Sequence, residues 1–306
     1  MRIVLAENFR AIFYAPFYAC LALGFFRARG LDVVMQASPS PGAGIADMMS
    51  GSTHLVWGGP MRVLKDRNDK PAGPDSLVAF GEVAARDPFY LIGRPELLPF
   101  SFSKLTALRL AAVSEVVTPW LCLQQDLRDL GVDPDAIERS ADAPMQDNLN
   151  ALKAGTIDVV QAFEPLVTLA QHQGIGVPLH AAHTRGPTAY TTFLSTQAHL
   201  DRHGDAFQAM AGALESFSPW LAAEGVGSLA QVVGHLYPHV APEVLVRSLE
   251  RCQATQIWSC RPEISIAGFD RLAQSLVSAG FITHAAAYQD CVAPWARECP
   301  ARTQPV

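Results

Sequence analysis

The sequence predicts an α/β protein of two lobes, each built on a mostly parallel sheet that helices cover on both faces. The chain has 306 residues, which is enough for two lobes because domains usually span about 100–200 residues. Hydrophobic residues make up 49% of the chain and charged residues 17%, as is typical of a compact globular protein. Short apolar strands alternate with helical segments, and this alternation is typical of a parallel sheet.

The first unit of this pattern lies within the first forty residues. Residues 2–7 and 31–37 are predicted to be strands, and the apolar stretch 16–28 between them is predicted to be a helix. Gly30 follows that helix at the position where a positive φ is most easily adopted. The segment therefore predicts a β-α-β unit.

The alternation continues to about residue 188, and the later part of the chain is mainly helical. A strand predicted at 87–94 begins a second α/β series, so we expect the chain to cross between lobes near 86–93 and again near 184–192. The predicted division gives lobe 1 its first part, then lobe 2, then a return strand and a helical C-terminal section packed on lobe 1: residues 1–88, 89–188 and 189–306.

Charge and apolar patterning exclude several classes of function. The formal net charge of -6 and the scattered basic residues give no source for the counterion release that drives nucleic-acid binding, so we expect no nucleic-acid partner. A membrane-spanning helix needs about 18 consecutive apolar residues, and the sequence contains no such run. Residues 1–9 lack the pattern of a secretory signal, so a cytoplasmic location is expected, or a periplasmic one if the start is truncated or misassigned.

The six cysteines are too few and too dispersed to predict a disulfide scaffold. Most are expected to be plain thiols. Cys252 with Cys260, and Cys291 with Cys299, are the two pairs that could form bridges in an oxidising compartment.

The carboxyl ends of the predicted strands are the expected ligand site, since helix N-termini point their free N–H groups there. In residues 57–60, Gly58 and Gly59 let backbone N–H groups approach a ligand, while Trp57 with Phe89 would flank a planar body. The alternative is a tight turn with a core tryptophan.

Hydroxyl and charged side chains at neighbouring strand ends each have two interpretations. Ser114 and Thr118 either cap the following helix or contact a ligand. Glu164 either is stabilised by the dipole of the following helix or binds an amine group of the ligand. Arg10 and Arg86 either hold an anionic group or are solvated surface charges. The full predicted ligand-binding set is Asn8, Arg10, Ser38, Trp57, Gly58, Gly59, Arg86, Phe89, Ser114, Glu115, Thr118, Glu164 and Tyr190.

No metal or cofactor is expected. The closely spaced histidines within 180–183, 199–203 and 235–239 lack the glutamate of the zinc-protease helix and have no cysteine beside them. Residues 38–44 lack the Gly-Lys-Ser/Thr ending of a phosphate-binding loop.

Four segments carry a family resemblance: FYACLALGFFRARGLDVVMQ, MMSGSTHLVWGGP, LKAGTIDVVQAFEP and STQAHLDRHGDAFQAMAGAL. In order and spacing they resemble the SsuA/THI5/NMT1-like solute-binding proteins of ABC transporters, over about residues 2 to 282. The resemblance implies the type II periplasmic-binding-protein fold, in which two lobes close on a small organic ligand. Sulfonates, pyrimidine thiamine precursors, nitrogenous compounds and aromatic acids are such ligands, and an ABC transporter permease is the implied partner.

The resemblance also leaves two other functions open. A cytosolic enzyme on the same fold, of decarboxylase, desulfinase or pyrimidine-precursor synthase type, would use Cys20, His54, Glu115 or Glu164. The cysteine-rich CCCFC run of the fungal pyrimidine synthases is absent, because TAYTTFLST stands in that region. The remaining hypothesis is a cytosolic sensor that binds a metabolite and signals to a partner.

Overall fold

The computed structural model describes residues 1–7, 9–38 and 42–299. Within these ranges the strands are β1 Arg2–Glu7, β2 Asp32–Ala37, β3 Leu55–Gly58, β4 Leu77–Ala84, β5 Tyr90–Gly93, β6 Leu110–Ala111, β7 Val159–Ala162, β8 Val177–Ala181, β9 Thr191–Thr196 and β10 Trp258–Arg261. The helices are α1 Ala15–Ala22, α2 Phe25–Ala28, α3 Ala43–Met49, α4 Met61–Asp69, α5 Thr118–Asp129, α6 Met145–Ala154, α7 Leu166–His172, α8 Gln197–Leu214, α9 Phe217–Val233, α10 Pro242–Ala254, α11 Ile266–Ser278 and α12 Tyr288–Cys291. A 3-10 turn at Ile12–Tyr14 precedes α1.

The strands form two sheets, and the predicted two-lobed α/β architecture is confirmed. Lobe 1 is built on a six-stranded sheet with the order β10-β4-β9-β3-β1-β2, and lobe 2 on a four-stranded sheet with the order β6-β7-β5-β8. The helices from α8 onward follow β9 and pack mainly with lobe 1. The boundaries at 88/89 and 188/189 stay predictions.

The expectation of mostly parallel sheets is wrong. Among the strand pairings in the described ranges, β1 is parallel to β2 and β3, and β6 is parallel to β7. The antiparallel pairings outnumber these: β9 with β3 and β4, β4 with β10, and β5 with β7 and β8. Parallel neighbours require a crossover connection, usually a helix, whereas β5 and β9 are entered directly from the other lobe.

The opening unit differs from its prediction in one place. The predicted helix 16–28 is broken at Gly24, which has a φ of 77° between α1 and α2. Gly30 has the predicted positive φ, at 75°.

Strand β10 was not predicted. It has only four residues, and its Cys260 has a φ of 50°, so the sequence shows little regular alternation of apolar and polar residues there.

An ion cluster joins the two crossings between the lobes. Arg185, which precedes β9, pairs with Asp87, which precedes β5, and with Asp126 of α5. Asp87 is fully buried, and its other carboxylate oxygen accepts a hydrogen bond from the Phe89 N–H at 2.9 Å. The cluster therefore ties both crossings to lobe 2.

No described helix has the length and apolar character that a membrane span requires.

Candidate ligand site

A cavity of about 320 Å³ lies between the two lobes, beyond the carboxyl ends of β3 and β6 and beside the amino end of β5. Segments far apart in the sequence supply its lining. The lining residues are Phe9, Phe13, Tyr14, Gly59, Met61, Arg62, Phe89, Ser114, Glu115, Val116, Val117, Thr118, Tyr190 and Phe281.

Aromatic rings form much of the wall. Phe13 and Tyr14 lie with their ring centroids 4.3 Å apart, and Phe13 is 6.2 Å from Tyr190. Phe89, at the crossing into lobe 2, is 6.4 Å from Tyr190. Such walls favour a planar or apolar ligand body, because ring faces and edges offer a large dispersion surface.

Lobe 1 contributes a positive charge to the cavity. Helix α4 begins after the Gly59–Pro60 turn with no acidic residue in its first turn, and Arg62 lies in that turn. Burial lowers the pKa of Arg62 from its ordinary value, but a guanidinium remains protonated at any physiological pH. The positive helix end and the arginine together favour an anion at this wall.

Lobe 2 presents the start of a second helix. Val117 precedes α5, whose N-terminus has no side-chain cap among the described contacts and no acidic residue in its first turn. Ser114 and Thr118 flank this start and line the cavity. Glu115 accepts a hydrogen bond from the Met145 N–H at 3.0 Å, so the start of α6 offsets part of its charge.

Tyr190 places a buried hydroxyl at this site. The residue is 8% exposed, and its Oη has no hydrogen-bond partner within the described part of the chain. Burial raises the pKa of Tyr190 well above its ordinary value, so the hydroxyl stays protonated and can donate. Buried polar atoms are usually paired, and an orphaned one beside a cavity points to a ligand or water partner.

The structure brings together six residues of the predicted ligand-binding set and places the others elsewhere. The cavity is lined by Gly59, Phe89, Ser114, Glu115, Thr118 and Tyr190. Trp57, Gly58, Arg10, Ser38, Arg86 and Glu164 do not line it. Asn8 lies outside the described residues.

Trp57 packs in the core of lobe 1 instead of flanking a ligand. The side chain is 1% exposed and stacks on Phe17 of α1, with ring centroids 4.5 Å apart and planes 6° apart. The core-tryptophan interpretation is therefore the one that the geometry supports. Gly58, the last residue of β3, pairs with Thr192 of β9 in the sheet.

The two arginines expected at the cleft are held by other groups. Arg10 forms an ion pair with Glu7 at 3.1 Å, and Arg86 donates to the His183 carbonyl at 3.3 Å. Glu164 is 3% exposed and pairs with Arg251 of α10, outside the cavity.

Of the residues expected to carry enzyme chemistry, Glu115 alone reaches the cavity lining. Cys20 is fully buried in the core, where burial raises the pKa of its thiol and so disfavours the nucleophilic thiolate. His54 accepts a hydrogen bond from the Val4 N–H at its Nδ1, and burial lowers its pKa. All six cysteines are free, so neither Cys252–Cys260 nor Cys291–Cys299 is bridged.

Sequence reasoning missed several lining residues. Arg62 carried a readable signal, because it stands two residues after Pro60, and proline is favoured in the first turn of a helix. Phe281 carried none, since it follows α11 and reaches the cavity through the packing of the C-terminal section. The other missed residues are Phe9, Phe13, Tyr14, Met61, Val116 and Val117.

The chain is similar to known proteins in sequence and in fold. The sequence model of the NMT1-like family matches residues 100–243. The predicted resemblance is confirmed. The binding protein YtlA of Bacillus subtilis (strain 168) is 23% identical over 264 residues, covering 85% of this chain and 78% of YtlA.

Solved structures show the same fold. A protein of Bordetella bronchiseptica RB50 superposes with a TM-score of 0.74 at 16% identity, covering 95% of this chain and 94% of the other. The alkanesulfonate-binding protein SsuA from Xanthomonas axonopodis pv. citri, bound to MOPS, superposes with a TM-score of 0.67 at 17% identity, covering 92% and 94%. The predicted periplasmic-binding-protein fold is thus confirmed.

Proposed function

We propose that this protein binds a small organic anion in the cavity between its lobes, as the solute-binding component of an ABC-type uptake system. The observation that carries the proposal is the arrangement of charge around the cavity. Arg62 and the start of α4 approach it from lobe 1, and the start of α5, which lacks a side-chain cap in the described contacts, approaches it from lobe 2.

Both helix starts favour the same kind of ligand group. The helix dipole gives each start a partial positive charge. At the start of α4 the Arg62 and Val63 N–H groups already donate to the Gly59 and Pro60 carbonyls, so the Arg62 side chain would supply the contact from lobe 1. An anionic group between α4 and α5 would accept hydrogen bonds from both lobes, and so would draw them together. Ligand binding and lobe closure about the crossings near 86–93 and 184–192 would then be one event.

The volume of the cavity and its other lining residues indicate the size and chemistry of the rest of the ligand. Its volume of about 320 Å³ lies at the small end of the range for organic ligands. The aromatic wall favours a flat or apolar body, and Glu115 and Tyr190 offer one acceptor and one donor. The ligand would therefore be an aromatic or apolar molecule with a single anionic group.

The comparisons support a binding role. The Xanthomonas SsuA relative binds alkanesulfonates, which are organic anions, and YtlA is named as a binding protein. The partner in uptake would be an ABC transporter permease, which requires a location outside the cytoplasmic membrane.

A thermal-shift screen with matched ligands tests this function. Benzenesulfonate and benzoate would be compared with the neutral benzenesulfonamide and benzamide, and each mixture would then be checked by mass spectrometry. The proposal predicts that an anion raises the melting temperature and stays intact, because a ligand that binds only the folded state stabilises it. A shift by the neutral partner alone would contradict the anion site, and a consumed ligand would indicate an enzyme.

A further inference from the structure

We propose that Glu164 and Arg251 form a latch between the lobes that sets the affinity of the cavity for all its ligands. The inference rests on the proposed binding function. Glu164 precedes α7 in lobe 2. Arg251 and Ser248 lie on α10, which packs on the lobe 1 side against α9 and the 3-10 turn Ile12–Tyr14. The pair therefore crosses from one lobe to the other.

The carboxylate of Glu164 is almost fully enclosed by its partners. Within lobe 2, it accepts hydrogen bonds from the Thr168 N–H at 3.0 Å and from the Thr168 hydroxyl at 2.9 Å. From lobe 1, the Ser248 hydroxyl shares its one proton between Oε2 at 3.1 Å and the Val244 carbonyl of its own helix at 2.7 Å. Also from lobe 1, Arg251 Nε lies 2.6 Å from Oε1. The Arg251 Nε–H is not aligned with that contact as a hydrogen bond would be, so charge holds this part of the latch.

The latch is joined to the cavity wall through its neighbours on both sides. Phe163, next to Glu164 in the chain, packs with its ring centroid 5.1 Å from Phe13 and 5.0 Å from Phe89, both of which line the cavity. Helix α10 also contacts the 3-10 turn Ile12–Tyr14, which supplies Phe13 and Tyr14. Separation of Glu164 from α10 would thus move one cavity wall away from the other.

Loss of the latch would change affinity without changing any ligand contact. A protein that binds its ligand only when it is closed has an apparent dissociation constant equal to the intrinsic dissociation constant divided by the fraction of molecules that are closed. Removing the attraction across the lobes lowers that fraction, and so weakens every ligand by one common factor. We expect this factor to be about tenfold, the size of a typical coupling between sites.

The first test measures the lobes without any ligand. Spin labels would be placed at the exposed positions Gln173 of lobe 2 and Glu243 of α10, after Cys299→Ser removes the exposed native thiol. The latch predicts that Glu164→Gln shifts the distance distribution between the labels toward longer distances. Glu250→Gln, an exposed matched change on α10, should leave the distribution unchanged.

The second test measures affinity for benzenesulfonate and benzoate, each with the wild type and Glu164→Gln. The latch predicts that both dissociation constants rise by the same factor. If Glu164→Gln does not fold, Ser248→Ala removes the hydroxyl that Glu164 shares with the Val244 carbonyl and keeps both charges, so the latch predicts a smaller shift in the same direction.

The outcomes separate this inference from the proposed function. A folded variant with unchanged label distances would overturn the latch, whether or not any ligand binds. Altered distances with one ligand weakened and the other unaffected would also overturn it, since that pattern indicates a direct ligand contact. If no anion binds the wild type, the proposed function fails, and with it the claim on affinity, while the distances still decide whether the pair holds the lobes together.

Discussion

The turns at residues 57–60 and 162–165 have the same order of strand, proline and helix but different roles. Each follows a strand, β3 or β7, and each ends in a proline that precedes a helix, α4 or α7. The lobe 1 turn brings Gly59 and then Arg62 to the cavity, whereas the lobe 2 turn directs Glu164 to α10 of the other lobe. A strand-end pattern thus places a residue at the cleft edge of its lobe, but the packing partner decides where the side chain points.

The packing partners explain the difference. In the first turn, α1 lies over β3 and takes the Trp57 ring into the core, so within this turn it is Gly59, which has no side chain, that lines the cavity. In the second, Thr168 and α10 surround the Glu164 carboxylate with donors. A buried carboxylate is stable only when it is paired in this way.

The largest expected effect belongs to the first turn. Arg62→Met should weaken binding of benzenesulfonate by about 10- to 100-fold, because a hydrogen bond to a charged group contributes about 1.5–3 kcal/mol. Titration calorimetry measures the loss. The neutral benzenesulfonamide should be much less affected, which would show that the charge on the ligand matters.

Two controls sharpen the result for Arg62. Arg62→Lys keeps the charge and should retain part of the affinity, and Arg27→Met removes the same charge from an exposed position outside the cavity. Equal losses in Arg62→Met and Arg27→Met would show that net charge alone acts, and would break the contrast between the two turns.

The next effect compares the two glycines of the first turn. A Cβ on Gly59 would lie 3.3 Å from the Tyr190 carbonyl oxygen, a backbone atom, whereas a Cβ on Gly58 would meet the Leu194 side chain at 3.4 Å. Gly59→Ala should lower the free energy of unfolding by about 1–2 kcal/mol, as overpacking does, and Gly58→Ala should lower it less. Urea unfolding measures both, and equal values would contradict the close approach at Gly59.

A further prediction concerns Glu82 of β4, a buried carboxylate outside both turns. Burial outweighs the attraction of Arg261 and raises the pKa of Glu82 from its ordinary value of 4.5 to about 7. The folded state therefore holds this proton more tightly than the unfolded state. The resulting stabilisation is complete below pH 4.5 and is lost as the pH rises to about 7.

Urea unfolding between pH 5 and 7.5 checks this sign. The stability of the wild type relative to Glu82→Gln should fall as the pH rises. A difference that is constant over this range would contradict the raised pKa.

The sequence predicted the two lobes, the positive φ of Gly30 and the cleft position of Ser114 and Thr118, because these depend on local patterns. It did not predict the antiparallel strands β5 and β9, whose direction depends on how the chain crosses between lobes. Likewise, Glu164 and Arg251 are separated by 87 positions in the sequence, and their pairing becomes visible only from the packing of α10 on α7.

The most direct test of the anion site is a crystal structure with 4-bromobenzenesulfonate, in which anomalous scattering locates the bromine. We expect the sulfonate oxygens within hydrogen-bond distance of Arg62 and of the first N–H groups of α5, with the bromine against the aromatic wall. A sulfonate bound away from Arg62, or a bromine at the helix starts with the sulfonate in solvent, would contradict the account.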